Sequence, residues 1–271
     1  MRTLEYSPTR RPALEPNLPT SLALETHKSA IASSGHRLAE LAAAAGESTK
    51  VPTCPAWDVR ALLAHQTMVH RWATAHVSGT DPSTLPSQTE IGESVADLND
   101  YYVDGMRLLL EALDRAPANL EAMTFLRDAP APREFWARRQ AHETTVHMVD
   151  ALAASLQRMP TAEEAAIERD LALDGIDELL AGFFTRGRSK VFDGDVFTML
   201  VAPDDSDRRW HVRVAESLTI TDEPSESPRL SIGGTAASIY LGLWNRSDEL
   251  TLTGDHELMK RWRKTQKVRW R

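Results

Sequence analysis

Four segments of this chain carry apolar residues at the three-to-four-residue spacing of an amphipathic helix. They occupy most of the stretch from residue 21 to residue 157. The third is the clearest, with apolar side chains at Ile91, Val95, Leu98, Tyr102, Met106, Leu109 and Leu113. Each stripe has to be buried against another element. Four consecutive stripes therefore predict a four-helix bundle.

Proline and a capping residue indicate where two of these helices begin. Asp58 follows the segment PTCPAW and is predicted to be the N-cap of the second helix. The fourth helix is predicted to follow Pro132. Residues 1–20 contain four prolines and no periodic pattern, so we predict an irregular leader there and a bundle over residues 21–160.

The chain changes character after Pro160. One more helix is predicted around Leu173 and Ile176, and a short helix capped by Thr235 and a basic terminal helix are predicted further on. Strand-like patterns occur in VFTMLV, WHVRVA, SLTIT, PRLSI and ELTLTG. Residues 161–271 are therefore predicted to form a smaller α+β domain with a mainly antiparallel sheet, which makes the fold class α+β.

Charge and composition limit the classes of partner. The formal net charge of −8 argues against nucleic acid, although residues 260–271 carry seven bases and no acid. Bases interleaved with Trp262 and Trp270 are compatible with contacts to a phosphate backbone. The simpler interpretation is a final helix with solvated cationic sides.

Cysteine usage and hydropathy limit the compartment. Cys54 is the single cysteine, so no internal disulfide can form, and no apolar run approaches the ~20 residues of a membrane span. We therefore expect a cytoplasmic protein without a membrane partner, either a monomer or a weak dimer. Cys54 precedes a helix, which leaves open a nucleophilic thiol and a small buried apolar side chain.

A carboxylate and two imidazoles are placed so that they can meet inside the bundle. Glu143 and His147 are four residues apart on the fourth helix and so share one face. His65 lies at the border of the apolar stripe of the second helix and points inward. Asp150 follows His147 by one turn and is placed as its partner or as an extra ligand. These residues alone leave open a metal site, a solvated Glu–His pair and a core histidine.

His142 is excluded from that set by its angle around the helix. It is five residues from His147, about 140° around the helix, so both rings cannot readily face one ion. The segment is therefore not the H-E-x-x-H motif of zinc proteases. His142 is predicted to be a core or interface histidine.

Two sequence runs carry a family resemblance. VPTCPAWDVRALLAHQTMVHRWA and FWARRQAHETTVHMVDA resemble the hallmark runs of the mycothiol-dependent maleylpyruvate isomerase family, whose N-terminal part looks like the DinB-type metal-binding bundles. The matching positions are Pro55, Trp57, Val59, Leu62 and His65, then Arg139, His142, Glu143, His147 and Asp150. GGTAASIYLGLWNR, residues 233–246, resembles the C-terminal module of the family, which is similar to sterol carrier proteins.

The resemblance implies a site and its cofactors. It places a divalent metal, normally zinc, on His65, Glu143 and His147, with mycothiol as the thiol cofactor. It implies an isomerase or an S-transferase, in which a thiolate adds to a small electrophilic substrate. A carboxylate on that substrate would be bound by Arg246 or Arg139, because guanidinium matches carboxylate.

Several alternatives stay open after the resemblance. Arg246 is also consistent with a surface arginine at a helix end, and Arg139 with a partner of Glu143 or Asp150. The rival functions are a non-catalytic metal-binding or regulatory module and a carrier of small molecules or lipids.

Overall fold

The computed structural model describes residues 22–221 and 227–266, and its N-terminal part is helical. The leader predicted for residues 1–20 lies outside the described residues. The helices of this part are α1 Leu24–Ala45, α2 Val59–Ser78, α3 Gln88–Ser94, α4 Leu98–Arg115, α5 Pro132–Leu156 and the short α6 Ala162–Ala165. The predicted N-cap is confirmed, since the Asp58 carboxylate accepts a hydrogen bond from the amide of Ala61 at 3.0 Å.

The four long helices form the predicted bundle, in which α1 packs on α4 and α5 and α2 packs on the same two helices. Helix α5 is the central element, because every residue from Phe135 to Ala154 is buried. It carries ionisable side chains on several faces, so burial forces each of them to find a partner inside the protein. These partnerships build the site described below.

The third predicted helix is two helices. Helix α3 ends at Ser94, and α4 begins after Asp97, whose side chain accepts a bond from the amide of Asp100. The periodic stripe continues from Ile91 to Leu113 across this break, which is why spacing alone did not show it. The capping side chain of Asp97 competes with helical continuation, and it turns the chain between the two helices.

The C-terminal part is the predicted α+β domain. Its strands are β1 Phe197–Pro203, β2 Trp210–Val214, β3 Leu218–Thr221, β4 Leu230–Gly234 and β5 Thr251–Gly254. They form a five-stranded sheet in the order β3-β2-β1-β4-β5. Strands β1 and β4 are parallel and the other neighbours are antiparallel, which confirms a mainly antiparallel sheet. The helices of this part are α7 Arg169–Asp177, α8 Ala236–Leu243 and α9 His256–Thr265.

A π-helical turn, Glu178–Phe183, continues α7. One hydrophobic core runs through both parts of the molecule and contains Leu62 and Val149 of the bundle together with Trp210 and Ile239 of the C-terminal part. The two parts share this core, and the predicted domain boundary at residue 160 stays a prediction.

The basic terminal helix is confirmed as far as Thr265, and residues 267–271 lie outside the described part of the chain. Trp262 is fully buried in the shared core, so its ring is not available to stack on a base. This burial favours the interpretation as a packed helix with solvated cationic sides. Over the described ranges, no helix combines the length and the apolar character that crossing a bilayer requires.

Candidate metal centre

His65, Glu143 and His147 converge on one point inside the bundle. One ligand atom from each lies within 4.8 Å of the other two. The carboxylate Oε1 of Glu143 is 3.4 Å from Nε2 of His65 and 3.2 Å from Nε2 of His147. All three residues are buried. The sequence predicted that His65 points into the bundle and that Glu143 and His147 share one helix face, and the structure brings the three side chains together.

Each histidine ring is held through its other nitrogen. Nδ1 of His147 lies 2.9 Å from the Asp150 carboxylate, and Nδ1 of His65 lies 3.3 Å from the side-chain oxygen of Gln88. With Nδ1 as the donor to these oxygens, Nε2 of each ring presents its lone pair toward the same point. The Trp57 ring covers both imidazoles, with ring centroids 4.8 Å and 5.8 Å away.

Asp150 is a hub that holds several side chains around His147. Arg246 binds it through Nε and Nη2, both at 2.9 Å, and the Thr53 hydroxyl donates to it at 2.5 Å. The Cys54 thiol lies 3.5 Å from the same carboxylate. Asp150 is not one of the residues whose ligand atoms converge, so the geometry favours a partner of His147 over an extra ligand.

Electrostatics favour a positive charge at the point of convergence. Burial raises the pKa of Glu143, but hydrogen bonds with His147 and His65 outweigh it and hold the pKa well below its usual range. Burial lowers the pKa of His65. Burial also lowers the pKa of His147, but bonds to Asp150 and Glu143 raise it to about 9. An ionised carboxylate among these rings is compensated by a proton on His147 or by a metal ion.

The donor set fits a divalent metal. Two imidazole nitrogens and one carboxylate oxygen form the set found in open catalytic zinc sites, where a fourth position is left for water or substrate. The oriented rings and the ionised carboxylate suit ligation, and an ion bound there would displace the proton from His147. The same set also accepts nickel, manganese or iron, so the donor atoms do not select the ion.

A second cluster of metal-ligand type is formed by His27, His142 and Asp174. Both rings contact Oδ2 of Asp174, at 3.1 Å and 2.8 Å. Arg138 donates to the same oxygen at 3.0 Å, and its positive charge opposes a metal ion at this position. The cluster is a buried ionic network that joins α1, α5 and α7. His142 is fully buried within it, as expected for a core histidine.

A cavity of about 610 Å³ opens onto the metal-ligand cluster. His65, Glu143 and His147 all line it, and so do Cys54, Trp57, Trp244, Arg246 and Arg263. Its walls come from the loop before α2, from α5 and from the C-terminal part. A site of this size, mostly apolar with a few polar groups, is typical of small-molecule binding.

The predicted carboxylate-binding arginines have different surroundings. Arg246 lines the cavity, but four of its N–H donors are directed to Asp150, Cys54 and the carbonyl of Trp244. Arg139 is fully buried, pairs with Glu143 and Glu178, and is not among the residues that line the cavity. The geometry therefore favours Arg139 as an ion-pair partner of Glu143 over Arg139 as a residue that binds the substrate carboxylate.

The fold and this site define a class of protein: a helical bundle whose cluster of two imidazoles and one carboxylate faces a cavity, joined to a small α+β domain. Two family models match the chain, the mycothiol maleylpyruvate isomerase N-terminal domain over residues 29–152 and the corresponding C-terminal domain over residues 170–261. The chain belongs to the mycothiol-dependent maleylpyruvate isomerase family. This membership confirms the prediction of an enzyme.

Solved structures with the same fold agree with this assignment. A crystal structure of a mycothiol-dependent maleylpyruvate isomerase matches at 14% identity and a TM-score of 0.60, and covers 88% of this chain and 95% of that chain. A histidine-to-alanine mutant of such an isomerase matches over the same shares at 14% identity and a TM-score of 0.61. At this identity the likeness concerns the fold. Among curated proteins, none matches this chain.

Some residues of the site were not found from the sequence, among them Gln88 and Glu178. Gln88, the first residue of α3, holds His65, and Glu178 holds Arg139. Glu178 lies within the predicted helix that contains Leu173 and Ile176. An acidic residue beside the apolar stripe of that helix was the sequence signal that could have indicated a buried ion pair. Gln88 gave no comparable signal, because its contact depends on where α3 packs.

Proposed function

We propose that this protein is a metal-dependent and mycothiol-dependent isomerase or S-transferase, located in the cytoplasm, that acts on a small electrophilic substrate bearing a carboxylate. The observation that carries the proposal is the convergence of His65, Glu143 and His147 at the wall of a cavity. A cytoplasmic location fits a thiol cofactor, because thiols are kept reduced there. Zinc is the proposed ion.

The protein residues would hold and orient the reacting groups. His65, Glu143 and His147 would hold the ion, which when bound supplies the positive charge that stabilises a thiolate at neutral pH. Asp150 and Gln88 keep the two imidazoles aimed at that position. Trp57 covers the rings and limits the access of water from that side.

The cavity has the size of a small-molecule binding site. Its volume of about 610 Å³ lies within the range of ligand sites for drug-sized molecules. Arg246 lines the cavity with a positive charge, and the hydrogen bonds within the described part of the chain use four of its five N–H donors, which suits a carboxylate ligand. The name of the solved relatives makes maleylpyruvate, an unsaturated dicarboxylate, the first substrate to assay.

The proposal is tested by metal analysis and a thiol-dependent activity screen on the wild type and the His65→Ala variant. We expect the wild type to contain about one divalent ion per chain and the variant to lose both ion and turnover while its helical content is retained. His36→Ala is the matched control, because His36 is an exposed histidine on α1. It should retain both properties.

Each result has a defined meaning. Equal metal content in the wild type and His65→Ala would remove His65 from the site. Bound metal without any thiol-dependent turnover would favour a non-catalytic metal-binding module over an enzyme.

A further inference from the structure

An ion pair between Arg139 and Glu178 links the metal-ligand cluster to the C-terminal part. Arg139 lies on α5, and Glu178 is the first residue of the π-helical turn after α7. Both side chains are almost completely buried, at 0% and 1% exposed. The Phe183 ring of the same turn lies 5.0 Å from the guanidinium carbon, which fixes the arginine from another side.

Arg139 determines which oxygen of Glu143 faces the two histidines. The Nη2 atom of Arg139 donates to Oε2 of Glu143 at 2.9 Å. The other oxygen, Oε1, is the one that contacts the rings of His65 and His147. The carboxylate is thereby held in one orientation and offers a single oxygen at the point of convergence.

The same arrangement brings a positive charge close to a cation site. An arginine stays protonated in proteins, and charges in a buried environment are poorly screened. Arg139 alone would therefore repel a divalent ion and withdraw negative charge from Glu143. Glu178 supplies a compensating negative charge on the far side of the guanidinium.

We propose that Glu178 is a positioning residue of the metal centre. Through Arg139 it orients Glu143, and it cancels the charge of the arginine so that a divalent cation can bind. The inference rests on the proposed metal site but not on the proposed reaction, since zinc binding is measured without thiol or substrate.

A neighbouring ion pair supplies a matched control. Asp177 precedes Glu178 and pairs with Arg138, which precedes Arg139, at 3.2 Å. This pair joins α5 to the last residue of α7, directly before the turn that begins with Glu178. Arg138 also retains Asp174 when Asp177 is changed. Asp177→Asn therefore reproduces the loss of a buried acid at the junction without disturbing Glu143.

The test is a competition titration of zinc against a chelator for the wild type, Glu178→Gln and Asp177→Asn. Residues that orient metal ligands contribute roughly 10–100-fold to affinity, and we expect a loss of that size for Glu178→Gln and at most about twofold for Asp177→Asn. Glu178→Asp keeps the charge and should recover part of the affinity. Wild-type zinc affinity in Glu178→Gln, or an equal loss of zinc affinity in Glu178→Gln and Asp177→Asn, would overturn the inference.

Two further measurements separate the charge from the packing. The double variant Arg139→Gln/Glu178→Gln removes the uncompensated cation, so it should bind zinc more tightly than Glu178→Gln. The absorption bands of the cobalt-substituted protein should change in Glu178→Gln and stay unchanged in Asp177→Asn. Only Glu178→Gln is expected to alter the orientation of the Glu143 carboxylate toward the ion. Weaker zinc binding by the double variant than by Glu178→Gln, or identical cobalt spectra for all proteins, would contradict the proposal.

Discussion

Cys54 lies in the loop before α2, where the partial positive charge of a helix N-terminus often activates a thiol. The surroundings act in the opposite direction here. Burial and the negative charge of Asp150 raise its pKa to about 12, although Arg246 lies 3.1 Å from the sulfur and lowers it. The thiol lines the cavity, yet it stays protonated at neutral pH. This environment disfavours the nucleophile that the sequence left open.

The expected consequence is slow alkylation of Cys54. At pH 8, a pKa of about 12 leaves roughly one thiol in 10,000 as thiolate, so the reaction with iodoacetamide should be on the order of 1,000 times slower than for a free cysteine. Mass spectrometry over time measures the rate. The same protein unfolded in urea is the control, and equal rates in the folded and unfolded chain would contradict the expectation.

Side chains on one helix face could be predicted at the residue scale, whereas partners from distant elements could not. The four-residue spacing of Glu143 and His147 and the inward angle of His65 follow from helical geometry. The pairing of Arg246 with Asp150 joins residues 96 positions apart in sequence. It depends on how the C-terminal part docks on α5, and no local pattern encodes that docking.

At the scale of elements, capping residues and apolar spacing predicted where helices begin and where strands lie. They did not predict the break between α3 and α4, because one apolar spacing runs through both helices. Asp58 was predicted as an N-cap from its position after a Pro-rich loop. Asp97 was not, because the apolar spacing continues past it into α4. The π-helical turn was also not predicted, because an apolar spacing does not distinguish it from an α-helix.

Helices α7 and α8 approach so closely that Gly175 is required between them. A Cβ atom at this position would lie 2.8 Å from Cδ2 of Tyr240 and 2.9 Å from Nδ1 of His142, so the helices would have to move apart. We expect Gly175→Ala to lower the free energy of unfolding by about 1–3 kcal/mol, the usual cost of overpacking a core. Urea denaturation measures this change.

Gly92 gives the matched control for that substitution. It lies in α3, and a Cβ atom there would meet Ala64 at an ordinary distance of 3.6 Å. Gly92→Ala should leave stability unchanged or raise it by about 0.5–1 kcal/mol, because alanine loses less entropy in a helix than glycine does. Equal effects of the two substitutions would show that α7 and α8 can separate freely.

The whole molecule is joined by charges on α5 that are paired with residues of the C-terminal part. Arg139 pairs with Glu178, Asp150 with Arg246, and Arg138 with Asp174. Removing one partner of a buried pair leaves an uncompensated charge, which typically costs about 3–5 kcal/mol. The bundle and the α+β part are therefore expected to unfold together, and the site between them depends on both.

These buried groups also predict how stability depends on pH in the metal-free protein. Burial lowers the pKa of His70 to about 3, and interactions with Arg246 and His147 outweigh burial to lower the pKa of Asp150. The unfolded chain binds protons at the ordinary values, near 6.5 for histidine and 3.9 for aspartate. Below each of these values the unfolded state holds more protons than the folded state. The free energy of unfolding therefore decreases as the pH is lowered. His147 does not offset this loss, because its raised pKa stabilises the fold fully below pH 6.5 and loses that effect only as the pH rises toward 9.

We therefore expect the free energy of unfolding, measured by urea denaturation, to decline below about pH 6.5 and more steeply below about pH 4. His70→Gln should make the upper part of this decline less steep, because it removes one of the buried imidazoles whose pKa is lowered and leaves the carboxylates in place. His36→Gln, at an exposed position, should leave the profile unchanged. A decline of the same slope in His70→Gln and the wild type between pH 6.5 and pH 4 would show that His70 takes up its proton without unfolding of the chain.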